Sequence, residues 1–192
     1  MITISEIAKL GACLIRGILL AVVLFATPLT SMADEATLDS LFAELQDPAN
    51  EDWKATEEKI WKEWSKSGSR AMDLLLERGR DAIAAGNYDA AVEHLSALID
   101  HAPEFAEGWN ARATAFYLMN QYGLSVADIQ RTLVLNPRHF GAMSGLGAIL
   151  EQTGRLKDAL TVYTRALEIH PHQPGVIEAV ERLNAEVGGT TL

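Results

Sequence analysis

"GNYDAAVEHLSALIDHAPEF" runs from Gly86 to Phe105, and "GRLKDALTVYTRALEIHPHQ" from Gly154 to Gln173. The two stretches share one skeleton: an opening glycine, then an alanine (Ala91, Ala159), then a closing proline (Pro103, Pro171) at matching offsets. Midway between them, Asn120, Ser125 and Pro137 occupy the same three places. Two further columns keep step, Tyr88/Tyr122/Leu156 and Gly79/Ala113/Gly147. A fixed period of this size marks a stacked-repeat architecture. It divides the chain into contiguous units at 72–105, 106–139 and 140–173.

Each unit predicts two amphipathic helices of about 14 residues. Val92, Leu95 and Leu98 form one apolar stripe, and Leu160, Tyr163 and Leu167 another. Gly86, Asn120 or Gly154 ends the first helix, because glycine and asparagine tolerate a left-handed backbone. Proline ends the second, since it cannot donate and clashes in a helix interior. Gly79, Ala91, Ala113, Gly147 and Ala159 are expected where two helices approach closely. Asn87 is a good N-cap for the second helix of its unit, whereas Gln121 and Arg155 in that column are poor ones.

Trp109, the pair Leu146-Gly147, Phe116, Ala91, Ala159, Tyr163 and the three prolines stand at set offsets within the 34-residue unit. In these columns the chain resembles the tetratricopeptide repeat (TPR) family, of a bacterial exported type. The second unit departs most, with Arg112 in the leucine column and Ser125 in the alanine column. The resemblance implies an all-α fold, a right-handed solenoid of antiparallel helix pairs with N- and C-terminal capping helices. It also implies a non-catalytic interaction scaffold or adaptor that binds a peptide or protein segment in a concave groove. The groove would be lined by the first helix of each unit. Its candidate residues are Arg80, Asn110, Thr114, Tyr117, Ser144 and Glu151. The terminal-carboxylate clamp of some relatives would fall on Leu76, Arg80, Ala111, Gly141 and Gly145. Only Arg80 has suitable chemistry there, so that activity is not implied.

One helix pair cannot bury its own apolar face, so the ends of a stack need polar lids. At the C-terminus, residues 174–192 supply a capping helix with Val176, Val180, Leu183 and Val187 on one face, followed by the tail "GGTTL". At the other end, residues 34–71 read as a degenerate helix pair. Leu38, Leu41, Phe42 and Leu45 share a face, and Trp53, Ile60, Trp61 and Trp64 share the next. The three tryptophans are expected either to lid the first unit or to stand exposed as a binding anchor. The second option carries an alternative function, a structural or assembly subunit that self-associates through this helix.

Residues 1–33 differ in kind. Lys9 and Arg16 precede the apolar stretch Gly17–Ala26, and small residues Ser31 and Ala33 follow. This pattern predicts an export signal cleaved after Ala33 and a periplasmic protein. Retained, the segment would anchor the chain to the inner membrane, facing the periplasm. Cys13 is the single cysteine, so the chain beyond residue 33 has no thiol.

A net charge of −10 without a Lys/Arg cluster argues against nucleic-acid binding. No nucleophile, phosphate-loop or paired-cysteine motif is present, so the expectation is no enzyme, no small-molecule substrate, no cofactor and no metal. His170 and His172 form one close histidine pair, expected in a surface turn.

Overall fold

A computed structural model describes residues 30–189 of the chain. Residues 1–29, which hold most of the expected export signal and its Gly17–Ala26 stretch, lie outside the described residues, as do the last three residues. Nine helices and no strand occur among the described residues: α1 (Thr30–Gln46), α2 (Trp53–Trp64), α3 (Arg70–Ala84), α4 (Tyr88–His101), α5 (Ala106–Leu118), α6 (Tyr122–Leu135), α7 (Phe140–Gln152), α8 (Leu156–Ile169) and α9 (Pro174–Gly189). Helices α3/α4, α5/α6 and α7/α8 are the three repeat units. Helix α9 continues two residues into the stretch expected as tail. None of the described helices is long and apolar enough to cross a membrane.

The turns inside the units follow one rule. Gly86, Asn120 and Gly154 have φ of +73°, +58° and +76°. In the first turn Gly86 N–H donates to Ile83 O and Asn87 N–H to Ala82 O, the paired bonds of a Schellman cap. The same two bonds recur at Asn120/Gln121 and at Gly154/Arg155. Asn87 Oδ1 accepts from Ala90 N–H at 3.3 Å and caps α4, while Gln121 and Arg155 make no side-chain cap.

Packing between helices uses the small columns. A Cβ added at Gly79 would sit 2.5 Å from Leu95, and one at Gly147 would overlap the Tyr163 ring. Ala91, Ala113 and Ala159 are buried at the equivalent crossings. The core falls into three clusters. One joins the first two units through Leu76, Leu95, Leu98, Ala111 and Ala115. A second joins the next two through Ala113, Ile129, Ala142 and Ile149. The largest contains Leu41, Phe42, Leu45, Ile60 and Trp64 of α1 and α2 together with Phe140, Met143, Tyr163, Ile169 and Leu183.

That last cluster corrects the expected place of the N-terminal pair. The pair does not lid the first unit: it shares a core with the third unit and the capping helix. The physical reason lies in the first unit itself. Gly108, Ala111 and Ala115 of α5 are buried against the preceding unit, and Ala142 and Ile149 of α7 are buried likewise. The same columns in α3 hold Leu74, Glu77 and Asp81, all exposed. Two carboxylates, one in each of two interface columns, make that face its own polar lid, so α1 and α2 are free to dock elsewhere.

Candidate functional site

The first helices α3, α5 and α7 present one face away from α4, α6 and α8, and the expected binding residues all stand on these three helices. Two cavities open on it. The larger, about 530 Å³, is bounded by Trp61, Lys62 and Ser65 from the α2 end and by Arg80, Asn110 and Thr114. The smaller, about 190 Å³, lies between α5 and α7, beside Tyr117, Gly141, Gly145 and Ala148. Asn110 and Thr114 border both.

Glu107 organises the larger cavity. It is only 2 % exposed. Arg80 Nη2 donates to its Oε1 at 2.5 Å, and Asn110 Nδ2 lies 3.3 Å from the same oxygen. His139, fully buried, holds the other oxygen through Nε2 at 2.8 Å. Its Nδ1 accepts from Ala142 N–H at 3.1 Å, capping α7. An acceptor Nδ1 places the proton of the neutral ring on Nε2, so His139 donates to Glu107. The Arg80–Glu107–His139 chain joins the first two units at this face, and the bond from Ala142 N–H to His139 carries it on to the third. The sequence places Glu107 on the inward side of its helix but gives neither Glu107 nor His139 a binding role. Their signal is positional, since Glu107 occupies the column that holds Gly141 one unit later.

The other expected groove residues divide. Tyr117 lies on the smaller cavity, its hydroxyl accepting from Gln152 Nε2 at 2.8 Å and its ring 5.8 Å from Tyr122. Ser144 instead donates to Phe140 O and meets Gln173 Oε1 at 2.9 Å. Glu151 pairs with Arg182 of α9 at 2.8 Å and accepts from Tyr163 Oη at 3.5 Å. Burial and Glu151 push the Tyr163 hydroxyl up to about 12, so it remains a donor. The segment entering α9 and α9 itself thus claim Ser144 and Glu151, which border neither cavity.

The tryptophans are a further correction, because none stands free as an anchor. Trp64 is buried, and Trp53 and Trp61 are half-buried. Trp64 stacks on His139 with ring centroids 4.4 Å apart, and Trp61 meets His139 and Phe140 edge-on at 5.4 and 5.5 Å. Trp53 stacks on His172 at 5.8 Å and meets His170 at 5.5 Å. An indole is mostly apolar area, so it takes the deepest apolar seat on offer.

The expected surface turn at His170 is also corrected: that ring is fully buried. Its Nε2 has no hydrogen-bond partner among the described residues and faces Glu57 Oε2 at 3.6 Å. Burial pushes the imidazole below its ordinary value, Glu57 opposes this in part, and His172 adds to the lowering. The unfolded chain therefore binds more protons than the folded one below about pH 6.5. Stability present above that pH should fall as pH drops toward the folded value. A His170→Phe chain keeps a ring in the slot without a titrating group. Its urea midpoint should fall less than that of the natural chain between about pH 7.5 and 5; parallel pH profiles would contradict this. No cluster of three or more His, Cys, Asp or Glu that could hold a metal occurs among the described residues.

Comparison with known proteins agrees with the geometry. The family model for the tetratricopeptide repeat matches residues 76–118 and 110–174. A TPR repeat-containing protein of Rhizobium etli is 36% identical over 83% of this chain and 78% of its own length. The Hsp70–Hsp90 organizing protein of Triticum aestivum is 28% identical over 52% of this chain, which spans 17% of that protein. Among solved structures, the first TPR of Spaghetti (RPAP3), bound to the Hsp90 peptide SRMEEVD, has a TM-score of 0.58 at 22% identity. That likeness covers 61% of this chain and 93% of that one. The chain belongs to the tetratricopeptide repeat family.

Proposed function

We propose that this protein is a non-catalytic interaction scaffold or adaptor that binds a peptide or protein segment on the face formed by α3, α5 and α7. One observation carries the reading: Asn110 and Thr114 border both cavities, so a hydrogen-bonding strip runs between two openings large enough for side chains. Asn110 offers both donor and acceptor to a ligand backbone, and Tyr117 adds an aromatic wall. Relatives support the class of partner, since the Spaghetti TPR is described with a bound Hsp90 peptide and the wheat relative organises Hsp70 and Hsp90. The mode differs from a terminal-carboxylate clamp, because Arg80 is already bonded to Glu107 and Ser65.

The basic lead and apolar stretch within residues 1–33 support export to the periplasm or cell envelope, with retention at the inner membrane as the other outcome. N-terminal sequencing of the envelope-extracted protein separates the two. For binding, pull-down compares the natural chain with Asn110→Ala/Tyr117→Ala. The double variant should lose most of the partner recovered, and equal recovery would refute this face as the site. Self-association through the tryptophan helix is the weaker reading, because Trp64 and Ile60 are buried within their own chain.

A further inference from the structure

Part of the binding face is already covered by the chain's own helix. α2 crosses it from the third unit toward the first: Trp53 lies on His170 and His172, Trp61 and Trp64 on His139 and Phe140, and Ser65 on Arg80. The seat fits an indole closely. Gly141 lies under Trp61, and a Cβ there would come within 2.6 Å of the ring. Trp53, Ile60, Trp61 and Trp64 fall on one side of α2, while Lys54, Glu58, Lys59 and Lys62 on the other are exposed. The link to α3 is the polar stretch Ser65–Ser69, with Gly68 at φ +81° and nothing within 4 Å of a Cβ built there. Thus α2 has the form of a ligand: an amphipathic helix laid into a groove through its aromatic face.

We propose that this seat, built from His139, Phe140, Gly141, His170 and His172, binds a partner's amphipathic helix bearing aromatic side chains, and that α2 is the built-in occupant such a helix displaces. The inference rests on the face assigned above and names the chemistry of its partner. Exchange replaces one set of indole contacts by another, so the partner competes with a tethered segment at high effective concentration. The apparent affinity is reduced by the fraction of chains in which the seat is open.

The test uses the labelled peptide EDWKATEEKIWKEWSKSGS, residues 51–69, titrated by fluorescence anisotropy into full-length chains. A Trp61→Ala/Trp64→Ala chain, its own α2 weakened, should bind the peptide at least about tenfold tighter than the natural chain. Adding Gly141→Val should abolish that binding, as should replacing the peptide's tryptophans by alanine. Equal affinity for the two chains, or no binding to a variant that keeps its helical circular dichroism, would overturn the proposal. If the double variant does not fold, a protease site placed in Ser65–Ser69 of the otherwise natural chain decides the matter. After cleavage, labelled peptide should replace the released N-terminal piece, and absence of exchange at equilibrium would overturn it. Failure here with Asn110- and Tyr117-dependent partner recovery intact would leave the proposed function standing.

Discussion

An Asp128→Ala chain is expected to lose about 3–5 kcal/mol of stability, read from urea unfolding followed by circular dichroism. Asp128 receives two bonds from Arg112, Nε at 2.7 Å and Nη2 at 2.9 Å. The side chains are 7% and 18% exposed. Removing the carboxylate leaves a guanidinium in a largely dry site with one bond to Ser96 Oγ at 3.0 Å and the rings of Trp109 and Phe116 beside it. Those contacts favour the lower end of the range. The third unit holds Leu146 and Val162 at the equivalent places. An Arg112→Leu/Asp128→Val chain should therefore stay within about 1 kcal/mol of the natural one or exceed it, since a well-packed apolar pair avoids the desolvation cost. A double variant as damaged as the single would show that the pair is not the source of the loss.

Trp64→Ala is expected to cost about 3–5 kcal/mol as well, by removing a buried indole and leaving a cavity. The ring touches four others: Phe42, Trp61, His139 and Phe140, with centroids between 4.4 and 5.9 Å away. The loss should concentrate on one element. If α1 and α2 undock while the repeats stay folded, fluorescence of Trp53 and Trp61 changes at lower urea than helical circular dichroism. Trp109, in the second unit, reports with the repeats. A single coincident transition at the natural midpoint would contradict both the cost and its location.

The repeat was legible because its chemistry is local. Gly86, Asn120 and Gly154 announce a left-handed residue, Pro103, Pro137 and Pro171 a stop, and Gly79 and Gly147 a close crossing; each needs only its near neighbours to be read. Arg112 and Ser125 looked like defects in the second unit. The structure shows them answered by Asp128 and by Ala113 O, the latter accepting from Ser125 Oγ at 2.8 Å. The docking of the N-terminal pair was not legible in the same way. Leu41, Phe42, Leu45 and the tryptophans show that a face is apolar, not which distant surface receives it. The residues that receive the tryptophans, His139, Phe140, Gly141, His170 and His172, lie at the start of α7 and in the turns before α7 and after α8. Glu77 and Asp81 did hold a usable hint, since charge in columns otherwise filled by Ala111, Ala115 and Ile149 means that the first unit needs no lid.

The place of α2 is tested most directly by nuclear Overhauser contacts of the indole protons. Cross-peaks from Trp61 to the Gly141 α-protons, and from Trp53 to the His172 ring, are predicted. Cross-peaks from those indoles to Leu74 and the exposed side of α3, with none to Gly141, would contradict it.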